Sequence, residues 1–113
     1  MTLSQEKCEA CRAGGTPLTP DAARTLAADA PLWTLLDARI EREFTCRDFR
    51  AAIAFVNQVA DIAEAEGHHP DICIDYRRVR LTLWTKKIGG LSRNDFIVAA
   101  KIDQLAASSE DVV

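Results

Sequence analysis

Alternation between apolar and polar residues predicts four β-strands in two pairs. Ile40 and Phe44 alternate with acidic neighbours, as expected for a strand with one buried face. The second pair alternates in the same way, and Arg77-Arg78 marks the break between its two strands. The predicted strands span residues 32–36, 39–45, 72–76 and 79–85, with the first two joined at Asp37-Ala38.

Capping signals predict where two helices begin. The run Thr-Pro-Asp at residues 19–21 supplies a capping hydroxyl, a proline for the first helical position and an acid for the first turn. A helix over residues 22–28 should follow. Ser92, with Asp95 three residues later, is a second N-cap signal and predicts a helix through residues 96–107.

A longer helix is predicted between the two strand pairs. Thr45, with Asp48 three residues on, is expected to open it as a capping box. Apolar residues then recur at three- and four-residue steps and predict a core-facing stripe. Gly67 is the expected C-terminal cap. The stripe consists of Phe49, Ile53, Val56, Val59/Ala60 and Ala63.

The order αββαββα predicts an α+β fold, with a four-stranded antiparallel sheet and helices packed on one face. We expect residues 1–18 to form an irregular lead-in, residues 19–107 a single domain, and residues 108–113 a tail that frays. An open sheet has edge strands, so dimerisation edge to edge is plausible.

Composition indicates an ordinary globular domain. The 113 residues are 48% hydrophobic and 27% charged, and this length suits one core. A net charge of −3 gives no basic field for nucleic acid or an anionic membrane. Apolar runs stay well short of the ~20 residues of a membrane span. The first residues lack the apolar segment of a signal peptide, so we expect a cytoplasmic protein.

Among the four cysteines, Cys8 and Cys11 form one close pair. In a cytoplasmic chain this spacing is more often metal-binding or redox-active than a structural disulfide. A zinc site needs about four ligands, and the sequence offers no second CxxC or HxxxH motif. We therefore expect no metal, with zinc binding by this pair and the histidines as a weaker alternative. Cys46 and Cys73 are expected to be small buried residues.

The two histidines, His68 and His69, are adjacent, between Gly67 and Pro70. Histidine exchanges protons near neutral pH, so the pair suggests acid–base chemistry at the end of the long helix. The residue before proline favours extended backbone, and the rings should therefore diverge rather than chelate one metal ion together. A solvated histidine pair that merely ends a helix is the structural alternative.

The sequence resembles the pterin-4a-carbinolamine dehydratases, a family also known as the dimerisation cofactor of a homeodomain transcription factor. The resemblance rests on Glu64-x3-His68-His69-Pro70-x5-Tyr76, followed by Leu-Thr-Leu-Trp84-Thr and Gly-Gly-Leu-Ser-x2-Asp95. A Lys-Cys-Glu-x-Cys-Arg lead-in and the closing helix 95–103 are also typical of bacterial members. The resemblance therefore covers nearly the whole chain.

The resemblance implies catalysis by His68 and His69, which would flank a pterin substrate. It also implies substrate-binding residues, and no organic cofactor or metal. The family expects a third histidine, sometimes tryptophan, ten residues after the aromatic, where this chain has Lys86. The implied binding residues are Glu64, Pro70, Tyr76, Trp84 and Asp95.

Lys86 leaves three interpretations open, because dehydration needs both a proton donor and a proton acceptor. An unperturbed lysine has a pKa near 10.4 and is an ammonium at pH 7. Lys86 is compatible with a slower dehydratase that relies on His69. It is also compatible with a desolvated lysine of lowered pKa, which Lys87 and Arg80 would assist. In the third interpretation, selection no longer maintains catalysis, because the fold serves another purpose.

The leading hypothesis is a pterin-4a-carbinolamine dehydratase that acts as a homodimer or tetramer. The main rival is a protein-binding or assembly factor with a protein client, such as the Rubisco assembly factors found with carboxysomes. Simpler structural roles stand beside the functional ones. Asp95 is fully explained as a helix cap, and Tyr76 and Trp84 as core or interface aromatics. The Arg77-Arg78 and Arg80 cluster is explained as a solvated strand face.

Overall fold

A four-stranded antiparallel sheet with helices on one face forms the structure, as the sequence predicts. The computed structural model describes residues 2–9 and 15–113. The strands lie in the order β1-β2-β4-β3. No helix among the described residues is long and apolar enough to cross a membrane. The main elements are α1 (Pro20–Ala27), β1 (Thr34–Leu36), β2 (Arg39–Thr45), α2 (Phe49–Glu66), β3 (Asp71–Asp75), β4 (Arg78–Leu83) and α3 (Arg93–Ser108).

The core lies between the sheet and the long helices α2 and α3. Alternate residues of β2 and β4 point inward, so Ile40 and Phe44 meet Leu83 and Val79 across the strand pair. Phe44 packs at 5.0 Å from the ring of Phe55 in α2. Burying an apolar side chain of this size stabilises the fold by roughly 1.5–3 kcal/mol, so the alternating pattern specifies register strongly.

Arg42 is the charged residue on the inward face of β2, and its charge is compensated. Its guanidinium donates to Asp103 of α3 at 2.5 Å and lies 4.2 Å from the centre of the Phe44 ring. Trp33 Nε1 also donates to Asp103, at 2.8 Å. This cluster fastens α3 to the sheet through a half-buried ion pair.

The start of α2 and its apolar stripe differ from the prediction. Asp48 is the N-cap, accepting from the Ala51 amide at 2.8 Å, while Thr45 is the last residue of β2. Phe49 and Ile53 are 49% and 37% exposed. Val59 and Ala63 are buried as predicted, but the buried face is turned toward Ala51, Ala52 and Phe55 and away from Phe49 and Ile53. The buried face consists of Ala51, Ala52, Phe55, Val59 and Ala63.

Two further expectations are wrong for reasons of topology. Cys73 is exposed, because β3 is an edge strand and its alternation turns Cys73 to the face away from the helices. Residues 108–113 do not fray as a whole. The Val113 amide donates to the Thr45 carbonyl at 2.9 Å and the Arg47 amide to the Asp111 carbonyl at 2.9 Å, so this tail pairs with the end of β2.

The described part of the lead-in, residues 2–9, is called the N-terminal segment. It contains one 3-10 turn, Leu3–Gln5, with Leu3 buried against the core. It lies along α3, which contributes hydrogen-bond partners to it. Cys11 lies outside the described residues, so the expected Cys8–Cys11 pair has no structural description.

Candidate functional site

The end of α2 places both histidines. Gly67 has φ +64°, a left-handed conformation that costs glycine little and ends the helix. The His68 amide still donates to the Ala63 carbonyl at 3.1 Å, after which the chain leaves the helical path. Pro70 favours extended backbone at His69, and β3 begins at the next residue.

His68 is held from behind by a buried carboxylate. Its Nε2 lies 2.6 Å from Asp95 Oδ1, and the two side chains are 11% and 0% exposed. The other Asp95 oxygen accepts from the Ser92 amide at 2.9 Å and from Thr85 Oγ1 at 2.8 Å. Because a carboxylate only accepts, Nε2 of His68 carries the hydrogen, and Nδ1 is the nitrogen left for proton exchange.

His69 has a looser partner. Its Nε2 lies 2.5 Å from Glu64 Oε2, across the turn that ends α2. Both side chains are more than half exposed, so water competes for this contact and it orders the ring weakly. The two adjacent imidazoles therefore differ: His68 is fixed, and His69 is adjustable.

Lys86 lies in a 3-10 turn, Lys86–Ile88, and is paired with an acid. Its Nζ donates to Asp71 Oδ1 at 2.9 Å, and Trp84 Nε1 donates to the other oxygen at 3.2 Å. The hydrogen bonds from Lys86 and Trp84, of which the Lys86 bond has the larger effect, hold the pKa of Asp71 below its usual value. The Lys86 side chain is 58% exposed, so it lacks the desolvated surroundings that a proton-accepting lysine would need.

The turn that carries Lys86 is closed by its own backbone. The Thr85 amide donates to the Gly90 carbonyl at 2.8 Å, and the Gly90 amide returns a bond at 3.3 Å. Gly89 has φ +66°, and a Cβ at Gly90 would lie 2.8 Å from Cβ of Pro17. Glycine is therefore favoured at both positions, for conformation at Gly89 and for space at Gly90.

Four of the predicted site residues line one cleft of about 520 Å³: His68, His69, Trp84 and Lys86. A cleft of this size suits a small heterocycle. Glu64 and Asp95 act on the histidines from outside the lining, and Pro70 shapes the turn between His69 and β3. The structure does not bring Tyr76 to the cleft. It is 65% exposed in the β3–β4 turn, at the opposite end of β3 from His69.

Several lining residues are absent from the predicted site, although Glu66 is expected beside the histidines as a neighbouring carboxylate and Gly67 as the helix cap. Glu66 and Gly67 come from the end of α2, Asn94 from the first turn of α3, and Glu9 from the N-terminal segment. Glu66 was within reach of the sequence, since it lies two residues before His68 on a helix. No pattern in the sequence indicates that a residue near the N-terminus folds back to the histidines. The remaining lining residues are Thr85 and Lys87.

The structure gives the zinc interpretation no support within the described residues. No group of three or more His, Cys, Asp or Glu side chains there is arranged to hold a metal ion. Burial raises the pKa of the Cys8 thiol to about 12, and the Glu66 carboxylate adds to the rise. Since the thiolate is the metal ligand and nucleophile, Cys8 in this position is inert.

Comparison with known proteins identifies relatives over most of the chain. The sequence profile of the family described as pterin 4 alpha carbinolamine dehydratase matches residues 16–105. A protein of Aromatoleum aromaticum, provisionally named a pterin-4-alpha-carbinolamine dehydratase, is 48% identical over 92% of this chain and 95% of its own length. A Marinobacter nauticus protein with the same provisional name is 44% identical over 91% of this chain and 96% of its own.

Two solved structures have a similar fold. A transcriptional coactivator/pterin dehydratase from Brucella melitensis superposes with a TM-score of 0.75 and 29% identity, covering 80% of this chain and 98% of its own. A pterin dehydratase-like protein described as a RuBisCO assembly factor of the alpha-carboxysome superposes with a TM-score of 0.55 and 24% identity. It covers 68% of this chain and 89% of its own. The second likeness concerns the fold alone.

Proposed function

Because this chain belongs to the pterin 4 alpha carbinolamine dehydratase family, we propose that it removes water from a 4a-hydroxytetrahydropterin to give the quinonoid dihydropterin. The observation that supports this most is the pairing of His68 with the buried Asp95 at the wall of the cleft. A carboxylate bonded to one nitrogen of a histidine keeps the ring in one tautomer. It also stabilises the imidazolium that forms when the other nitrogen accepts a proton.

Dehydration needs two proton movements on the substrate. The hydroxyl on C4a leaves as water after gaining a proton, and N5 loses its proton as the double bond forms. We assign the acceptor role to His68, whose Nε2 is engaged by Asp95 and whose Nδ1 is left to take a proton. His69 and the Lys86 ammonium are the donors that line the same cleft. Lys86 in this role begins each turnover as an ammonium, becomes the neutral amine when its proton passes to the leaving hydroxyl, and takes a new proton from solvent.

The substitution at position 86 favours one rival function. An exposed lysine paired with Asp71 is a poor proton acceptor, which is what a catalytically inactive binding or assembly protein would tolerate. Likeness to the RuBisCO assembly factor adds nothing to this, because that structure is only 24% identical. The dehydratase proposal needs Lys86 only as a donor, and it therefore accommodates the same observation.

A direct assay separates the two functions. An aromatic hydroxylase generates the 4a-carbinolamine, and the quinonoid product is followed by its ultraviolet absorbance with and without this protein. We expect the purified protein to accelerate the spontaneous reaction, His68→Gln to abolish the acceleration, and Lys86→His to raise kcat by less than about tenfold. A wild type with only the spontaneous rate, together with full activity in Lys86→His, would refute the dehydratase proposal for this chain.

We further propose that the protein functions as a homo-oligomer. The edge strand β3 leaves hydrogen-bonding groups unpaired, and Ile72, Phe49 and Ile53 expose apolar surface beside it and on the flank of α2. Light scattering coupled to gel filtration should give a mass of a dimer or tetramer. A monomer at micromolar concentration would contradict this part of the proposal.

A further inference from the structure

The N-terminal segment is fastened along α3 up to the edge of the cleft. Lys101 Nζ donates to the Ser4 carbonyl at 2.8 Å. Arg93 then makes two bonds to the carboxylate of Glu6, at 2.8 and 2.7 Å. These contacts follow one helix in order along the chain, so the segment has one defined path toward the histidines.

At the cleft, both long helices hold the backbone of the segment. The Glu66 carboxylate at the end of α2 accepts from the Cys8 amide at 2.9 Å. This bond is the main cause of a lowered pKa at Glu66. Asn94 of α3 accepts from the Glu9 amide at 3.0 Å and donates to the Glu9 carbonyl at 2.6 Å. Glu9 is thus clamped through its backbone on both sides, as a residue is in a strand ladder.

Glu9 is exposed and lines the cleft, and the clamp engages only its backbone. Glu9 and Glu66 are the two carboxylates among the described lining residues. Glu66 is 6% exposed on its side chain, with one oxygen bonded to the Cys8 amide and the other 3.8 Å from Lys101 Nζ. Glu9 is therefore the better placed of the two to accept hydrogen bonds from a ligand.

We propose that Glu9 is a specificity-determining residue of the pterin site, presented there by the Asn94 and Glu66 clamp on the N-terminal segment. This inference rests on the proposed function for the identity of the ligand. It adds an element outside the part of the chain that the family profile matches, which begins at residue 16. The N-terminal segment is then a wall of the binding site rather than an inert lead-in.

The chemistry of the ligand identifies which group Glu9 would recognise. The pyrimidine ring of a pterin presents two neighbouring donors, N3–H and the 2-amino group, beside the C4 carbonyl acceptor. A carboxylate can accept from both donors at once, as it does from the paired N–H groups of arginine. Lys86 and Lys87 also line the cleft, and their ammonium groups are donors of the kind that the C4 carbonyl needs.

Binding of inert ligands tests the inference without requiring turnover. The probes are 7,8-dihydropterin and the matching dihydrolumazine, which carries an oxygen in place of the 2-amino group. We expect the wild type to prefer the pterin by roughly tenfold, the amount that one charge-assisted hydrogen bond supplies. Glu9→Gln should bind the pterin about tenfold more weakly and lose most of the preference, whereas Glu9→Asp should retain it.

A carboxylate three residues earlier provides the matched control. Glu6→Gln removes a charge and an attachment from the same segment, but Glu6 does not line the cleft. It should keep the pterin preference of the wild type. Equal weakening of pterin and lumazine by Glu9→Gln would overturn the inference, as would an equal loss of preference in Glu6→Gln.

The outcome is separable from that of the dehydratase assay. A protein that dehydrates the carbinolamine but ignores the Glu9→Gln change keeps the proposed function and loses this inference. A protein that shows the Glu9-dependent preference without turnover loses the proposed catalysis and keeps the inference. Failure of the wild type to bind either ligand would refute the pterin site and the inference together.

Discussion

Replacing Asp95 by asparagine distinguishes a helix cap from a residue that positions His68. Asp95 accepts from the Ser92 amide and Thr85 through one oxygen and from His68 through the other. An asparagine has only one oxygen. Turned toward Ser92, it keeps the cap and presents its NH₂ group to His68 Nε2, where two donors then meet.

The expected losses in unfolding free energy and in kcat follow from this geometry. His68 can relieve the conflict by moving its hydrogen to Nδ1, so the loss in unfolding free energy should be about 1 kcal/mol, the net contribution of one hydrogen bond. The same shift removes the acceptor nitrogen that the proposed reaction needs. Since positioned acid–base groups contribute roughly 10²–10⁴-fold to rate, we expect kcat to fall by at least about 10²-fold while KM changes little.

The assay combines kinetics, stability and a direct view of the ring. Dehydration kinetics give kcat and KM, urea unfolding gives the loss in stability, and ¹⁵N NMR of the imidazole gives the tautomer of His68. Asp103→Asn is the matched control on the same helix. It weakens the contacts with Trp33 and Arg42, none of which involves a residue that lines the cleft, and should lower stability at unchanged kcat.

One result would refute the positioning role. If Asp95→Asn lowers unfolding free energy but leaves kcat within about twofold, with Nε2 of His68 still protonated, Asp95 is a helix cap and nothing more. The capping box with Ser92 would then account for all of its contacts that matter.

Three other predictions concern the surroundings of the cleft. Gly90→Ala, which forces a Cβ to within 2.8 Å of Pro17, should lower unfolding free energy by about 1–3 kcal/mol in urea titrations, and an unchanged midpoint would contradict the packing. Because Lys86 lowers the pKa of Asp71, the pair stabilises the fold above the ordinary pKa of 3.8, and this stabilisation is lost as the pH falls through the lower folded value. In Lys86→Ala, the pKa of Asp71 measured by ¹³C NMR should rise toward 3.8. An unchanged pKa would refute the pairing. Cys8, with a pKa near 12, should resist thiol reagents at pH 8 in the folded protein and react once urea unfolds it, as mass spectrometry of the labelled peptides can verify.

Local patterns predict the sheet and every cap signal except the one at the start of α2, because each depends on few neighbours. The bounds of β2 follow from strict alternation, and Gly67 and the Ser92–Asp95 box follow from cap chemistry. Periodicity alone is weaker for α2. It cannot tell which of two adjacent apolar faces meets the sheet, and here the buried face includes Ala51 and Ala52 while Phe49 and Ile53 are exposed.

Local patterns are also insufficient to predict the candidate site, because its contacts join residues that are distant in the sequence. The motif contains His68, His69 and Lys86 together with Glu64 and Asp95, but it does not say which carboxylate pairs with which histidine. The contact of His68 with Asp95 spans 27 positions. The clamp of Asn94 on Glu9 spans 85 positions and depends on a path along α3 that no local pattern specifies.

The closed turn around Lys86 has a consequence for how this protein can evolve. The turn is shaped by Thr85 and Gly90 through their backbones, while the Lys86 side chain projects largely into solvent. Exchanging residue 86 should therefore have little effect on folding and act directly on chemistry. A single mutation at this position can place histidine, lysine or tryptophan on the same backbone turn. Under the proposed function, lineages can thus gain or abandon catalysis at this position without passing through an unstable intermediate.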